Sequence, residues 1–293
     1  MPKMKFGTYF AYWEQEWTAD IIPYFDKVRR LGFDILEISA ASLVDRSDGD
    51  IAKIKDAAKD NGIAITTCIG LPAEYNLASE DEKIRENGIA YMKRLLSGVH
   101  KVGADLLGGI IYAYWPCDYS KPIRKEAARA ASIKSMRTLG RIAGDLGIVL
   151  AMETVNRFEQ FIINDAREAV EFVKDIGLQN CGVMLDTFHM NIEEDNIGEA
   201  IVSAGDYLVH FHIGECNRKV PGKGHMPWDE IGEALRRINY TKGVVMEPFV
   251  KMGGQVGNDI KVFRDMSGNA DAKTMDDDIG ESLKFLKSKF LAV

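Results

Sequence analysis

Four side chains able to hold a metal close four successive apolar runs. Glu153 ends Ile-Val-Leu-Ala-Met-Glu, Asp186 ends Gly-Val-Met-Leu-Asp, His212 ends Val-His-Phe-His and Glu247 ends Gly-Val-Val-Met-Glu. Taking an isolated charge out of water costs on the order of several kcal/mol. Four such groups meeting on one face would repel and desolvate one another unless a cation lay between them. Three carboxylates and one imidazole describe a site for one divalent metal ion, of a kind that suits Mn2+, Co2+ or Mg2+ better than the thiolate sites of structural zinc. Any one of these acids alone would read as a helix N-cap or a solvated loop charge. Their recurrence changes that reading, because the ends of consecutive strands in a parallel sheet lie side by side on one face.

The elements that must position them repeat along the chain as a short apolar run, an amphipathic stretch, a Gly and another apolar run. This alternation is the βα signature. Strands are expected over Lys5 to Phe10, Phe33 to Ser39, Ile63 to Ile69, Ala104 to Ile110, Ile148 to Thr154, Cys181 to Thr187, Val209 to Ile213 and Val244 to Phe249. Gly32, Gly62, Gly103 and Gly147 stand just before strands, where a left-handed helix C-cap turns the chain back into a sheet, and Gly243 is expected to mark the same kind of entry. Ile54, Ala57 and Ala58, like Ala169, Phe172 and Val173, have core-facing helical spacing. Eight βα units predict an α/β fold, a single (β/α)8 TIM barrel spanning 1–293 as one domain, with the site at the C-terminal face of the strands. The long loops expected on that face follow strand seven (Glu215, Asn217, Arg218 and Pro221 to Gly224) and strand eight (Gly253, Gly254 and Gly257).

Composition narrows the function classes. A net charge of -7 argues against nucleic acid as partner, since phosphate backbones require clustered Lys and Arg. Cys68, Cys117, Cys181 and Cys216 form no C-x-x-C pair, so neither a disulfide framework nor a zinc knuckle is expected. A strand begins almost at once after Met-Pro-Lys-Met-Lys, and no apolar run reaches membrane-spanning length. The reading is a soluble, cytoplasmic protein with a small-molecule ligand and no membrane partner.

With the ligand set placed, the chain resembles the ketose 3-epimerases, the D-tagatose and D-psicose (D-allulose) 3-epimerase group of the sugar isomerase and epimerase barrels. The resemblance runs nearly end to end, through Tyr9 to Trp17 (YFAYWEQEW), Leu31 to Glu37 (LGFDILE), Asn156-Arg157-Phe158-Glu159, Met184 to Asp195 (MLDTFHMNIEED), Gly214 to Arg218 (GECNR) and Met246-Glu247-Pro248-Phe249. It implies the metal ligands Glu153, Asp186, His212 and Glu247, and substrate contacts at Glu159, His189 and Arg218, the last two donating near O1 and O2 of the sugar. It also implies pocket walls from Tyr9, Trp17, Trp115 and Phe249, a free ketose such as D-fructose or D-psicose as substrate, Mn2+ or Co2+ as the ion, and a homodimer or homotetramer. The chain departs from the family at Ile110, Cys216 and His225, and in Gly70-Leu71-Pro72, where the family has Gly-Pro after strand three. Ile110 is expected to narrow the pocket toward the far end of the sugar.

Epimerising a ketose at C3 requires removal of the proton α to the C2 carbonyl and its return from the opposite face through a cis-enediolate. Two acid/base groups on opposite faces are therefore needed, and Glu153 on strand five and Glu247 on strand eight are the candidates. A divalent ion there would act as a Lewis acid on the carbonyl. Arg218 has the alternative of a plain loop ion pair with Glu159 or Glu215. His210, two residues before His212, shares its inward face one layer deeper and reads as a packed, hydrogen-bonded core histidine. His100 reads as a surface histidine and His225 as a loop residue, while Tyr12, Trp13 and Tyr114 are left open between pocket and packing. The competing functions are an aldose-ketose isomerase of the same barrel type and a non-catalytic sugar-binding barrel.

Overall fold

The structure, a computed structural model, describes residues 4–291. Eight parallel strands close on themselves in sequence order: β1 (Lys5–Tyr9), β2 (Ile35–Ser39), β3 (Ala64–Cys68), β4 (Leu106–Gly109), β5 (Val149–Thr154), β6 (Cys181–Asp186), β7 (Leu208–Ile213) and β8 (Gly243–Met246). β8 closes the barrel by pairing with β1 through Phe6↔Val244 and Thr8↔Met246. Around it run α1 (Ile22–Leu31), α2 (Asp48–Asn61), α3 (Glu82–Val102), α4 (Lys125–Asp145), α5 (Ala166–Ile176), α6 (Thr187–Glu193), α7 (Ile197–Ala204), α8 (Trp228–Arg237), α9 (Gly254–Asp259) and α10 (Ala272–Phe290). The fold is the expected (β/α)8 barrel. No helix among the described residues is long and apolar enough to cross a membrane.

Local chemistry sets the ends of these elements. Ser47, Asp81, Asp165, Asn196 and Asp271 accept a hydrogen bond from a backbone N–H in the first turn of α2, α3, α5, α7 and α10, satisfying donors that the helix leaves free. Gly32, Gly62 and Gly103 cap α1, α2 and α3 in the left-handed conformation as expected, and Gly177 does the same for α5 at φ 74°. Gly243 departs from expectation: it opens β8, and a Cβ there would meet Ile35 and His210 at 3.1 and 3.3 Å. Close packing inside the barrel, rather than a cap, accounts for it. On α5, Ala169, Phe172 and Val173 are buried on one face; on α2, Ile54 and Ala58 are buried and Ala57 is half-buried.

Several strands stop one to three residues short of their expected ends. Phe10–Tyr12 forms a 3-10 turn, Thr187 already begins α6, and β8 stops at Met246 because Pro248 has no N–H to continue the ladder. Glu247 nevertheless donates its N–H to Ile213 O at 2.9 Å, so its backbone stays tied to β7.

Candidate metal centre

Glu153, Asp186, His212 and Glu247 come together at the C-terminal mouth of the barrel, each offering one ligand atom and all four atoms lying within 4.8 Å of one another. All four are buried. Asp186 and His212 are direct register partners across β6 and β7. Asp186 also realises the bland alternative for such a residue, since its Oδ1 accepts the Phe188 N–H at 2.8 Å and caps α6, leaving Oδ2 for the site. Thr187 locks this corner: its hydroxyl donates to Gly214 O at 2.8 Å and accepts the Gly214 N–H at 2.9 Å.

One layer below, the buried Glu37 of β2 ties the two β7 histidines together. Its Oε2 accepts from Thr66 at 2.7 Å and pairs with His210 Nε2 at 2.8 Å, while its Oε1 pairs with His212 Nε2. Burial acts to raise the Glu37 carboxyl, but the His212 and His210 rings outweigh it and hold the group well below the usual carboxylate range. His210 is the packed, hydrogen-bonded histidine that its position foretold.

With Nε2 of His212 committed to Glu37, Nδ1 faces the mouth. It is fully buried and has no hydrogen-bond partner, yet it lies 3.5 Å from Glu247 Oε1 and 4.0 Å from Glu153 Oε1. Burial, followed by the charge of Glu247, pushes the Glu153 carboxyl well above its usual range. Burial opposes charge on His212, but Glu37 and Glu247 push it well above the ordinary imidazole value. An orphaned ring nitrogen among crowded carboxylates calls for a cation, and the donor set fits a divalent ion.

A cavity of about 430 Å³ opens onto Glu153 and Glu247. Tyr9, Trp17, Trp115, Glu159, His189, Arg218 and Phe249 all line it, together with Ile110 and Cys68. Tyr9, Trp17 and Phe249 form an aromatic corner with ring centres 6.2 to 6.3 Å apart. Trp17 is anchored by Asp259 of α9 at 2.8 Å, and Trp115 donates to Glu159 Oε2 at 3.0 Å. Trp115 packs on the bare face of Gly70, where a Cβ would stand 3.0 Å from the Trp115 Cβ. The residues left open belong to packing: Tyr12 donates to Met275 O, Trp13 donates to Asp276, and the Tyr114 hydroxyl accepts the Asp118 N–H.

His189 has a fixed tautomer. The side-chain amide of Asn156 lies 2.7 Å from His189 Nδ1 and its backbone N–H donates to the same nitrogen at 3.3 Å, which leaves Nε2–H directed toward Asp186 and Glu153. Burial, with the nearby Arg218 charge adding to it, lowers this imidazole to about 3. It is a neutral donor.

Arg218 sits in a strained left-handed conformation at φ 62°. Its Nη1 reaches Asp186 Oδ2 at 3.3 Å and Glu247 Oε2 at 3.2 Å, and its guanidinium stacks 3.7 Å from the centre of the Phe188 ring. Glu159 is a more distant partner at 3.9 Å. Glu215 has another role, accepting from Gly222 N–H, Trp228 Nε1 and Met226 N–H at 2.6, 2.8 and 3.2 Å, and so fixing the loop that carries Arg218. Glu215 is thus not the ion-pair partner of Arg218 that the sequence offered, and Glu37, Asn156 and Phe188 have no role there. Only Glu37 left a clear signal there, as an acid inside the apolar run Ile35-Leu36-Glu37-Ile38.

A closed eight-strand barrel with a carboxylate-rich mouth agrees with the protein-family comparison, in which the model for the xylose isomerase-like TIM barrel matches residues 25–288. Among characterised relatives, the D-psicose 3-epimerase of Agrobacterium fabrum is 52% identical over 282 residues, covering 96% of this chain and 98% of the relative. The crystal structure of a D-psicose 3-epimerase in the presence of D-fructose superposes with a TM-score of 0.96 at 52% identity, covering 98% of this chain and 99% of that one. That of the Clostridium cellulolyticum H10 enzyme with D-tagatose gives 0.97 at 51%, with the same coverage. The chain belongs to the D-psicose 3-epimerase family of ketose 3-epimerases.

Proposed function

We infer that this chain epimerises free ketoses at C3, interconverting D-fructose and D-psicose, in a single barrel domain spanning 1–293. The observation that carries the reading is the pair Glu153 and Glu247, which rise from separated strands, fall in one cluster of four possible metal ligands and line the same cavity. One carboxylate takes the C3 proton on its oxygen while the other returns a proton to the opposite face of the planar cis-enediolate. Bound among Glu153, Asp186, His212 and Glu247, a divalent ion supplies Lewis-acid polarisation of the carbonyl. His189 donates Nε2–H to a sugar oxygen without exchanging a proton, because burial keeps it neutral. Arg218 binds the oxygens near C1 and C2, and Trp115 and Glu159 hold a hydroxyl farther along the chain. Tyr9, Trp17 and Phe249 press on the C–H face of the sugar and exclude water.

Three carboxylate ligands and one imidazole favour Mn2+ or Co2+, with Mg2+ as the third candidate. Arg218, the sole Lys or Arg lining the cavity among the described residues, is already paired with Asp186 and Glu247, which supports an uncharged ketose over a sugar phosphate. Phe158 and Phe263 stand 73% and 71% exposed, and the cover such side chains ordinarily find supports a homodimer or homotetramer. The composition supports a cytoplasmic protein. Turnover in D2O with Mn2+ or Co2+ tests the reaction: deuterium is expected at C3 of the epimer, with C1 unlabelled. Label at C1 or C2 would instead identify an aldose-ketose isomerase, and bound metal without turnover of any ketose a binding protein.

A further inference from the structure

The mouth of the barrel holds a second constellation, in which two residues of the four-ligand set meet a thiol that the reaction does not use. Cys68, the last residue of β3, lines the cavity, and its thiol lies with His212 Nδ1 and a Glu247 carboxylate oxygen in a group whose three atoms are within 4.8 Å of one another. All three residues are buried, and His212 Nδ1 has no hydrogen-bond partner. An ion with bonds of about 2.3 Å to sulfur and about 2.0 Å to nitrogen at tetrahedral angles holds those two atoms about 3.5 Å apart, so the group would close by about 1 Å at most, a movement that side-chain torsions can supply. Sulfur is the difference between this triad and the four-ligand set. Cations that prefer carboxylate oxygen are served best by Glu153, Asp186, His212 and Glu247, whereas thiophilic ones gain a ligand only by moving toward β3.

We propose that Cys68, His212 and Glu247 form an alternative site that captures thiophilic divalent cations such as Cd2+ or Zn2+. The Cys68 S–H bond breaks as the sulfur–metal bond forms, the proton passes to solvent, and no electrons are transferred. His212 and Glu247 belong to both sets, so a thiophilic ion there excludes the ion held by Glu153 and Asp186. The site stands on these three side chains; its consequence, displacement of the catalytic ion, rests on the function proposed above. Cys117, Cys181 and Cys216 join no such group among the described residues.

Titration of the metal-free protein with Cd2+ tests the site. Adding one equivalent should raise an ultraviolet sulfur-to-cadmium charge-transfer band that persists in Cys117→Ser and Cys216→Ser and disappears in Cys68→Ser and Cys68→Ala. A band that survives loss of Cys68, or no band at all, overturns the proposal. Cadmium-edge X-ray absorption on the protein carrying Cys117→Ser and Cys216→Ser keeps the question answerable if the Cys68 variants do not fold: one sulfur neighbour is expected, and none refutes the site. In Mn2+-loaded protein, the Cd2+ needed to release half the Mn2+, followed by electron paramagnetic resonance, should rise about tenfold or more in Cys68→Ser, the loss expected for one soft ligand. An unchanged midpoint would refute the competition. None of these readouts involves a ketose, so absent epimerisation would count against the proposed function alone.

Discussion

The mouth of the barrel and the body beneath it both bury charged groups, but they treat them in opposite ways. In the body, Glu37 is matched on both oxygens by Thr66, His210 and His212. At the mouth, His212 Nδ1 is left without a hydrogen-bond partner and Glu153 faces the carboxylates of Glu247 and Asp186. A satisfied polar network specifies a structure, whereas an unsatisfied one of the same burial marks where a ligand belongs. His212 joins the two, with Nε2 in the body and Nδ1 in the mouth. Glu37 thereby sets which nitrogen faces the mouth.

The contrast breaks most visibly through the mouth carboxylates. Glu153→Gln and Glu247→Gln keep an oxygen ligand and remove a base, so kcat should fall on the order of 10³-fold in each. Each variant should still exchange the C3 proton of one epimer with solvent, a different epimer in each case, as followed by proton NMR in D2O. Equal residual exchange of both epimers in both variants, with the ion still bound, would make these residues ligands only. Next in size is the histidine pair. Metal analysis should find about one ion per chain in His210→Ala and almost none in His212→Ala, while His210→Ala costs about 2–3 kcal/mol in denaturant unfolding by stranding part of Glu37. The reverse pattern would exchange their roles. Glu37→Gln, which touches both layers, should weaken metal affinity about 10- to 100-fold in a chelator competition. Unchanged affinity would confine Glu37 to the body.

This contrast was only half legible in the sequence. Strand order, barrel closure and the four mouth residues follow from apolar runs that end in charge, because that pattern is local and each strand end needs no knowledge of its neighbours. Glu37 carried the same signal within Ile35-Leu36-Glu37-Ile38, but its partners lie 173 and 175 residues away on β7. Only the closed sheet brings them together. The hold of Asn156 on His189 was invisible for the same reason. Arg218 was read as a substrate contact or as a loop ion pair with Glu159 or Glu215, and its reach to Asp186 and Glu247 depends on a left-handed backbone that an arginine rarely adopts. The Gly243 misreading shows the limit of local rules, since a glycine required by His210 and Ile35 inside the barrel looks in sequence like one required by a turn.

The smallest effect comes from the body at the other end of the strands, where no ligand is expected and titration reports packing alone. Cys181 opens β6 against α4, where a Cβ on Gly140 would stand 2.8 Å from its sulfur. Burial pushes its thiol from 9.0 up to about 12. In the unfolded chain the thiol loses its proton near the lower value, while the folded protein retains it to the higher one. Between the two, the folded state binds more protons, so stability is undiminished below pH 9 and declines as pH rises toward 12. Tyr12 and Tyr24, raised chiefly by burial from 10.0, add to the slope from about pH 10 upward. Thermal unfolding of the metal-free protein at a series of pH values above roughly 9 should therefore show a falling Tm, with a shallower fall in Cys181→Ala. The same variant should leave metal stoichiometry unchanged, because Cys181 lies at the opposite end of β6 from Asp186. An identical slope in both proteins would mean that Cys181 is reached by water before unfolding, and that the body is less tightly closed than its packing indicates.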